Sequence, residues 1–132
     1  MAEPRPQTRQ AFANKHGIPA ENVFASHTEL LAASDALIKQ GKPRIAMAVI
    51  ICVQDRMHAE FMIEFARRGF LVLSKKPLGV DVQECIMVAE EVEKAGIAFA
   101  LGHSTRKTRL EFKFTTDSIT RLSLFHICIF LD

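Results

Sequence analysis

The stretch from Arg44 to Pro77 limits the possible folds more than any other. It opens on a continuous apolar run, Ile45-Ala-Met-Ala-Val-Ile-Ile-Cys-Val53, which polar Gln54-Asp55-Arg56 interrupts. His58 to Arg68 then has helical spacing, with Phe61, Met62, Phe65 and Ala66 on one side and Gly69 as a stop. Phe70-Leu-Val-Leu73 forms a second apolar run and leads into Ser74-Lys75-Lys76-Pro77. A short β-branched run without alternation predicts a strand covered on both faces. Strand, helix and strand within about 30 residues predict a βαβ crossover with parallel strands. Parallel strands finish at the same sheet edge, where open α/β sheets bind ligands. Cys52 to Asp55 and Lys75 to Pro77 should therefore lie side by side.

The flanking segments extend the pattern. Residues 1–8 are polar and proline-marked, which predicts a frayed start. Arg9 to His16 reads as a short helix ended by Gly17, and Val23-Phe24 as a brief strand. Ser26 and Glu29 have capping-box spacing. The helix they open should run to about Gln40 and close at Gly41 and Pro43. Asp81 with Glu84 is a second capping signal. Val82, Cys85, Ile86, Ala89 and Val92 recur at helical spacing up to Gly96. Ile97 to Leu101 is a third apolar run. The order α, β, α, β, α, β predicts a parallel sheet with right-handed crossovers. Beyond Ser104 the character changes. Leu110, Phe112 and Phe114 alternate with Glu111 and Lys113, as in a half-exposed strand, and Leu122 to Leu131 reads as a strand or a buried helix.

With 132 residues there is material for one core. A net charge of +2 gives no argument for nucleic acid or an acidic membrane as partner. No apolar run nears the roughly 20 residues of a membrane helix, and the N-terminus has no apolar signal core. Three cysteines without a CxxC pair fit a reducing compartment, so the expected location is the cytoplasm.

Several residues at the expected strand tips can carry chemistry. A lysine at a strand end, such as Lys76, can donate to a substrate hydroxyl, sit near a nicotinamide or shuttle a proton. On spacing alone, a solvated Lys75-Lys76 pair is the simpler reading. His58 can pack against a cofactor or donate to a pyrophosphate, or can bond locally at the helix start. Asp55 can accept from a sugar hydroxyl or cap a turn. His103 can relay a proton and Arg106 can hold an anion. Cys52 reads as a small core residue. A metal set of Cys52, His58 and His103 has no diagnostic spacing, so no metal is expected. No GxSxG, P-loop or GxGxxG is present.

Taken together, Val49 to His58, Gly69 to Leu78 and Gly102-His103 resemble the Gfo/Idh/MocA family of NAD(P)-dependent oxidoreductases. Arg9 to Ile18 resembles a helix of the same family. The resemblance spans about residues 9 to 106. It implies that Lys76 matches the catalytic lysine of a Glu-Lys-Pro motif. It also implies that Val53, Gln54, Asp55, His58, Lys76, Pro77, His103 and Arg106 line the cofactor, NAD or NADP, with a sugar- or polyol-like alcohol as substrate. Lys75 stands where the family has Glu. The implied fold is α/β: a partial Rossmann-like three-layer fold with a parallel sheet, lacking the first βαβ half and the C-terminal substrate domain. The expected organisation is a disordered stretch 1–8, a nucleotide-binding domain 9–106 and a divergent tail 107–132. That reads as a truncated product with impaired or no activity. The alternative is a non-catalytic α/β module that folds or forms a homo-oligomer without turnover. An uncovered sheet edge would remain where the leading strand belongs, for the tail or a second chain to pair with.

Overall fold

The computed structural model describes residues 1–102 and 127–129. The expected βαβ unit is present as β1 (Ala48–Ile51), α3 (His58–Arg67) and β2 (Leu71–Lys75). Before it come α1 (Pro6–His16) and α2 (His27–Lys39), and after it α4 (Val82–Ala95) and β3 (Phe99–Gly102). A last strand, β4 (Ile127–Ile129), lies at the far edge. The sheet order is β3-β2-β1-β4, and all three pairings are parallel. The chain is thus an α/β protein with a parallel sheet. The apolar tail supplies a strand beside β1, one of the two outcomes expected for the open edge. No helix among the described residues is long and apolar enough to cross a membrane.

Local signals explain where the helices begin and end. Ser26 Oγ accepts from the Glu29 amide at 3.1 Å, and Asp81 Oδ1 accepts from the Glu84 amide at 2.8 Å. Both glutamates reach back one residue beyond the cap, to the amides of Ala25 and Val80, each at 2.8 Å. Each box satisfies two amide donors that would otherwise lack a partner. At the other end of α3, Gly69 takes φ +72°, which L side chains rarely adopt. The Arg44 guanidinium closes this end by donating to the Arg68 carbonyl at 2.8 Å and lies 5.2 Å from the centre of the Phe70 ring.

The core sits between the sheet and its helices. Val49, Ile51, Val72, Phe61, Met62, Phe65 and Phe70 are buried there, joined by Leu30 and Leu31 of α2 and Val88 of α4. Phe65 and Phe70 meet edge to face at 5.1 Å. One expectation needs correcting. The strands are not fully covered on both faces. Val49, Ile51, Val72 and Ser74 are buried, but Ala48, Ile50, Leu71 and Leu73 are only half-buried. The reason is handedness. The crossovers from β1 to β2 and from β2 to β3 step in the same direction, so right-handed connections put α3 and α4 on one side. They pack against each other there.

A second correction concerns the start of the chain. Residues 1–8 are not frayed: Met1, Ala2 and Glu3 are buried and α1 begins at Pro6. Ala2 bridges Phe24, and the Met1 ammonium donates to the Asn22 carbonyl at 2.6 Å. Glu3 can be buried because Arg5 grips both carboxylate oxygens, at 2.8 and 3.1 Å. The hydrogen bond from Arg5 is the largest influence on Glu3 and holds its carboxyl below the usual carboxylate range. A depressed folded-state value means that this contribution is present above the ordinary carboxylate pKa. It is lost as pH falls through the folded-state value. Glu3→Gln should therefore flatten the acid side of the stability profile. Urea midpoints at about pH 6 and about pH 3 check this, because the wild type should lose more between them than the variant. On the surface, Arg67 and Lys94 together hold Glu91 down to about 2, in the same direction.

Candidate functional site

The site grows out of the strand register. Ile51 lies opposite Ser74, and Ser74 opposite Leu101. One step on, Lys75 faces Gly102, and the Lys76 amide donates to the Gly102 carbonyl at 3.2 Å. The carboxyl ends of β1, β2 and β3 therefore share one rim, as the crossover pattern predicts. Burial pushes the Cys52 thiol up, and the charge of Lys75 pulls it partly back. The register of β1 with β2 is what brings the two tips together.

The predicted residues fall into three groups. Gln54 and Asp55, just past β1, are exposed, as is Lys76, while Val53 and Pro77 are half-buried. Asp55 opens a single 3-10 turn, Asp55–Met57, that feeds directly into α3. The Lys76–Pro77 peptide bond is cis. His58 is different, because only 1% of it is exposed and its ring is occupied. Its Nε2 lies 2.9 Å from the Val53 carbonyl, which can only accept, so Nε2 carries the proton. In the neutral ring Nδ1 is then an acceptor, 3.1 Å from Ser74 Oγ. The Ser74 hydroxyl has the Lys75 carbonyl as a second acceptor at 3.0 Å. His58 thus ties the loop after β1 to the end of β2. Of its two readings from sequence, local hydrogen bonding is the one seen. His103 and Arg106 lie outside the described residues.

Ser74 was not singled out from the sequence. Its signal was position: a serine on the inward face of a strand needs a partner, and His58 is the buried polar side chain that meets it. Gly79 is a second such residue. A Cβ there would come within 2.7 Å of Glu84 Cβ and 3.1 Å of the Cys85 amide nitrogen, so the loop from Pro77 can pass close over the start of α4 only as glycine.

Residues 1–103 match the family profile described as "Oxidoreductase family, NAD-binding Rossmann fold". The chain belongs to the GFO_IDH_MocA family. No curated protein matches it. Among solved structures, a Bordetella bronchiseptica RB50 protein described as a dehydrogenase is 27% identical with a TM-score of 0.60; the match covers 76% of this chain and 23% of that one. The WlbA dehydrogenase of Bordetella pertussis, in complex with NADH and UDP-GlcNAcA, is 22% identical with a TM-score of 0.61, covering 76% and 25%. An aldose-aldose oxidoreductase from Caulobacter crescentus, complexed with glycerol, is 20% identical with a TM-score of 0.60, covering 77% and 28%. At 22% and 20% identity these two show likeness of fold alone. The chain spans about a quarter of the length of these structures.

The rim can be tested for its fit to a dinucleotide. Gln54, Asp55 and Lys76 offer exposed hydrogen-bonding groups suited to ribose and alcohol hydroxyls. A pyrophosphate needs free helix amides and close-approach glycines. At the start of α4 the Asp81 and Glu84 carboxylates accept from the amides of Glu84 and Val80 and would repel an anion. The sequence has no GxGxxG turn, and its first glycine is Gly17. Among the described residues, the rim thus offers groups for hydroxyls, while the carboxylates at the start of α4 disfavour an anion there.

Proposed function

We propose that this chain forms the nicotinamide-side part of an NAD(P)-binding lobe in an oxidoreductase acting on a sugar- or polyol-like alcohol. The observation that carries the reading is the shared rim, where Lys76 leaves β2 beside the ends of β1 and β3. The substrate class follows the family resemblance, and it accords with the UDP-GlcNAcA bound in one structure of the same fold. The cofactor's nicotinamide would exchange the hydride. The chain's own part is orientation and proton handling. Gln54 and Asp55 take ribose hydroxyls, Pro77 and Val53 border the ring, and Lys76 Nζ bonds the alcohol oxygen and holds its proton. His58 acts through the backbone, by fixing Val53. The family resemblance also implicates His103 and Arg106, which lie outside the described residues.

Titration with NADH and NADPH, followed by cofactor fluorescence, tests this reading. Weak saturable binding, reduced in Lys76→Ala, is expected. Where alcohol oxidation is measurable, Lys76→Ala should lower kcat by roughly a hundredfold or more, and Lys75→Glu should leave it unchanged or raise it. Unchanged fluorescence at about millimolar cofactor would favour the other reading, a non-catalytic α/β module. The carboxylates at the start of α4, unsuited to a phosphate, are what speak for that alternative.

A further inference from the structure

A second cluster of polar groups lies away from the rim, where the start of α2 meets α3. Glu60 and Glu64 are one turn apart on α3, so both carboxylates sit on the same stripe of the helix. Like charges at this spacing disfavour a helix, and Glu60 forms no ion pair among the described residues. His27, the first residue of α2, packs its ring against Phe61 at 3.9 Å, which fixes the imidazole plane. Its Nε2 is buried and has no hydrogen-bond partner among the described residues. That nitrogen points at Glu64 Oε2 from 3.6 Å. The distance is too long for a hydrogen bond. A proton alone would draw the pair in to the roughly 2.7–2.9 Å of a charge-assisted bond.

The separation matches something else. Two donors bound at about 2.0–2.1 Å to one tetrahedral ion stand about 3.3–3.4 Å apart. One donor atom from each of His27, Glu60 and Glu64 lies within 4.8 Å of the others, so a small rotation of exposed Glu60 closes the set. We propose that His27, Glu60 and Glu64 bind a divalent transition-metal ion of the zinc class. The ion clips the start of α2 to the middle of α3. Imidazole nitrogen with two carboxylates suits Zn²⁺ and its neighbours better than Mg²⁺ or Ca²⁺, which prefer all-oxygen shells. With three protein ligands, the solvent side of Glu60 leaves a fourth position for water. Of the two cations near Glu64, Arg67 pairs with Glu91 at 2.7 Å, and Arg68 does not occupy the place. It stays 4.0 Å from Glu64 Oε2 and donates instead to Asp35 at 3.3 Å and to the Glu64 carbonyl at 3.1 Å.

The test is calorimetric titration of the chelator-treated full chain with Zn²⁺, alongside Mg²⁺. One equivalent of Zn²⁺ should bind and raise the thermal midpoint, and Mg²⁺ should do neither. Glu60→Gln lies on an exposed side chain and should fold normally. It should weaken Zn²⁺ binding by about tenfold or more, and His27→Gln should weaken it further. Exposed Glu90→Gln on α4 should change nothing. The Co²⁺ form should lack a sulfur-to-metal charge-transfer band. Binding unchanged in Glu60→Gln would overturn the proposal. So would a charge-transfer band, which would put the ion on the cysteines, or the absence of any bound equivalent.

Discussion

Phe65→Ala is expected to lower the unfolding free energy by about 3–5 kcal/mol. Phe65 is fully buried in the last turns of α3, the helix that packs against β1 and β2. Truncation removes the transfer free energy of the ring and leaves a void that the surrounding backbone cannot close. It also takes away the edge-to-face partner of Phe70, a contact worth about 0.5–1.5 kcal/mol beyond its area. A domain of this size has about 5–15 kcal/mol in total, so the variant should sit close to unfolding at room temperature. Urea denaturation followed by circular dichroism measures the loss. A midpoint indistinguishable from wild type would mean that α3 does not cover the sheet in the way described.

His58→Leu should cost about 2–3 kcal/mol although leucine fills a similar volume. The Val53 carbonyl loses its buried donor, and Ser74 keeps only the Lys75 carbonyl. Removing both polar partners should be cheaper than removing one, so Ser74→Ala on the His58→Leu background should cost less than it does alone. The double-mutant cycle yields that coupling directly. Additive losses would show that the two side chains are not bonded to each other. The variant should also speed hydrogen exchange at Gln54 and Asp55, because the ring anchors the loop that carries them.

The central βαβ unit was legible because its punctuation is local. Gln54-Asp55-Arg56 and Gly69 mark the ends of α3, and two capping boxes mark the starts of α2 and α4. Each of these depends on residues within a few positions of one another. The shared rim followed from topology, since parallel strands leave little choice of edge. Burial of the N-terminus was not legible. It depends on Ala2 meeting Phe24 and on Asn22 receiving the chain's first nitrogen, contacts made by residues about 20 apart. Nothing in the polar, proline-marked start announced that Arg5 would let Glu3 be buried. The half-buried side of the sheet was misread because an apolar run says nothing about which helices arrive to cover it. The role of His58 stayed open between two readings because Ser74, the residue that decides it, lies 16 positions away.

Cys52 has a practical consequence for anyone wishing to put a reporter on this protein. The residue follows β1 directly beside the rim, and partial burial pushes its thiol up, which disfavours the nucleophilic thiolate. Maleimide and iodoacetamide reagents should therefore attack it slowly while the strand tips stay packed. Any treatment that loosens them would admit water, and alkylation at that position would accelerate. The thiol is a built-in clock for the integrity of the strand ends, readable by mass spectrometry of the alkylated chain.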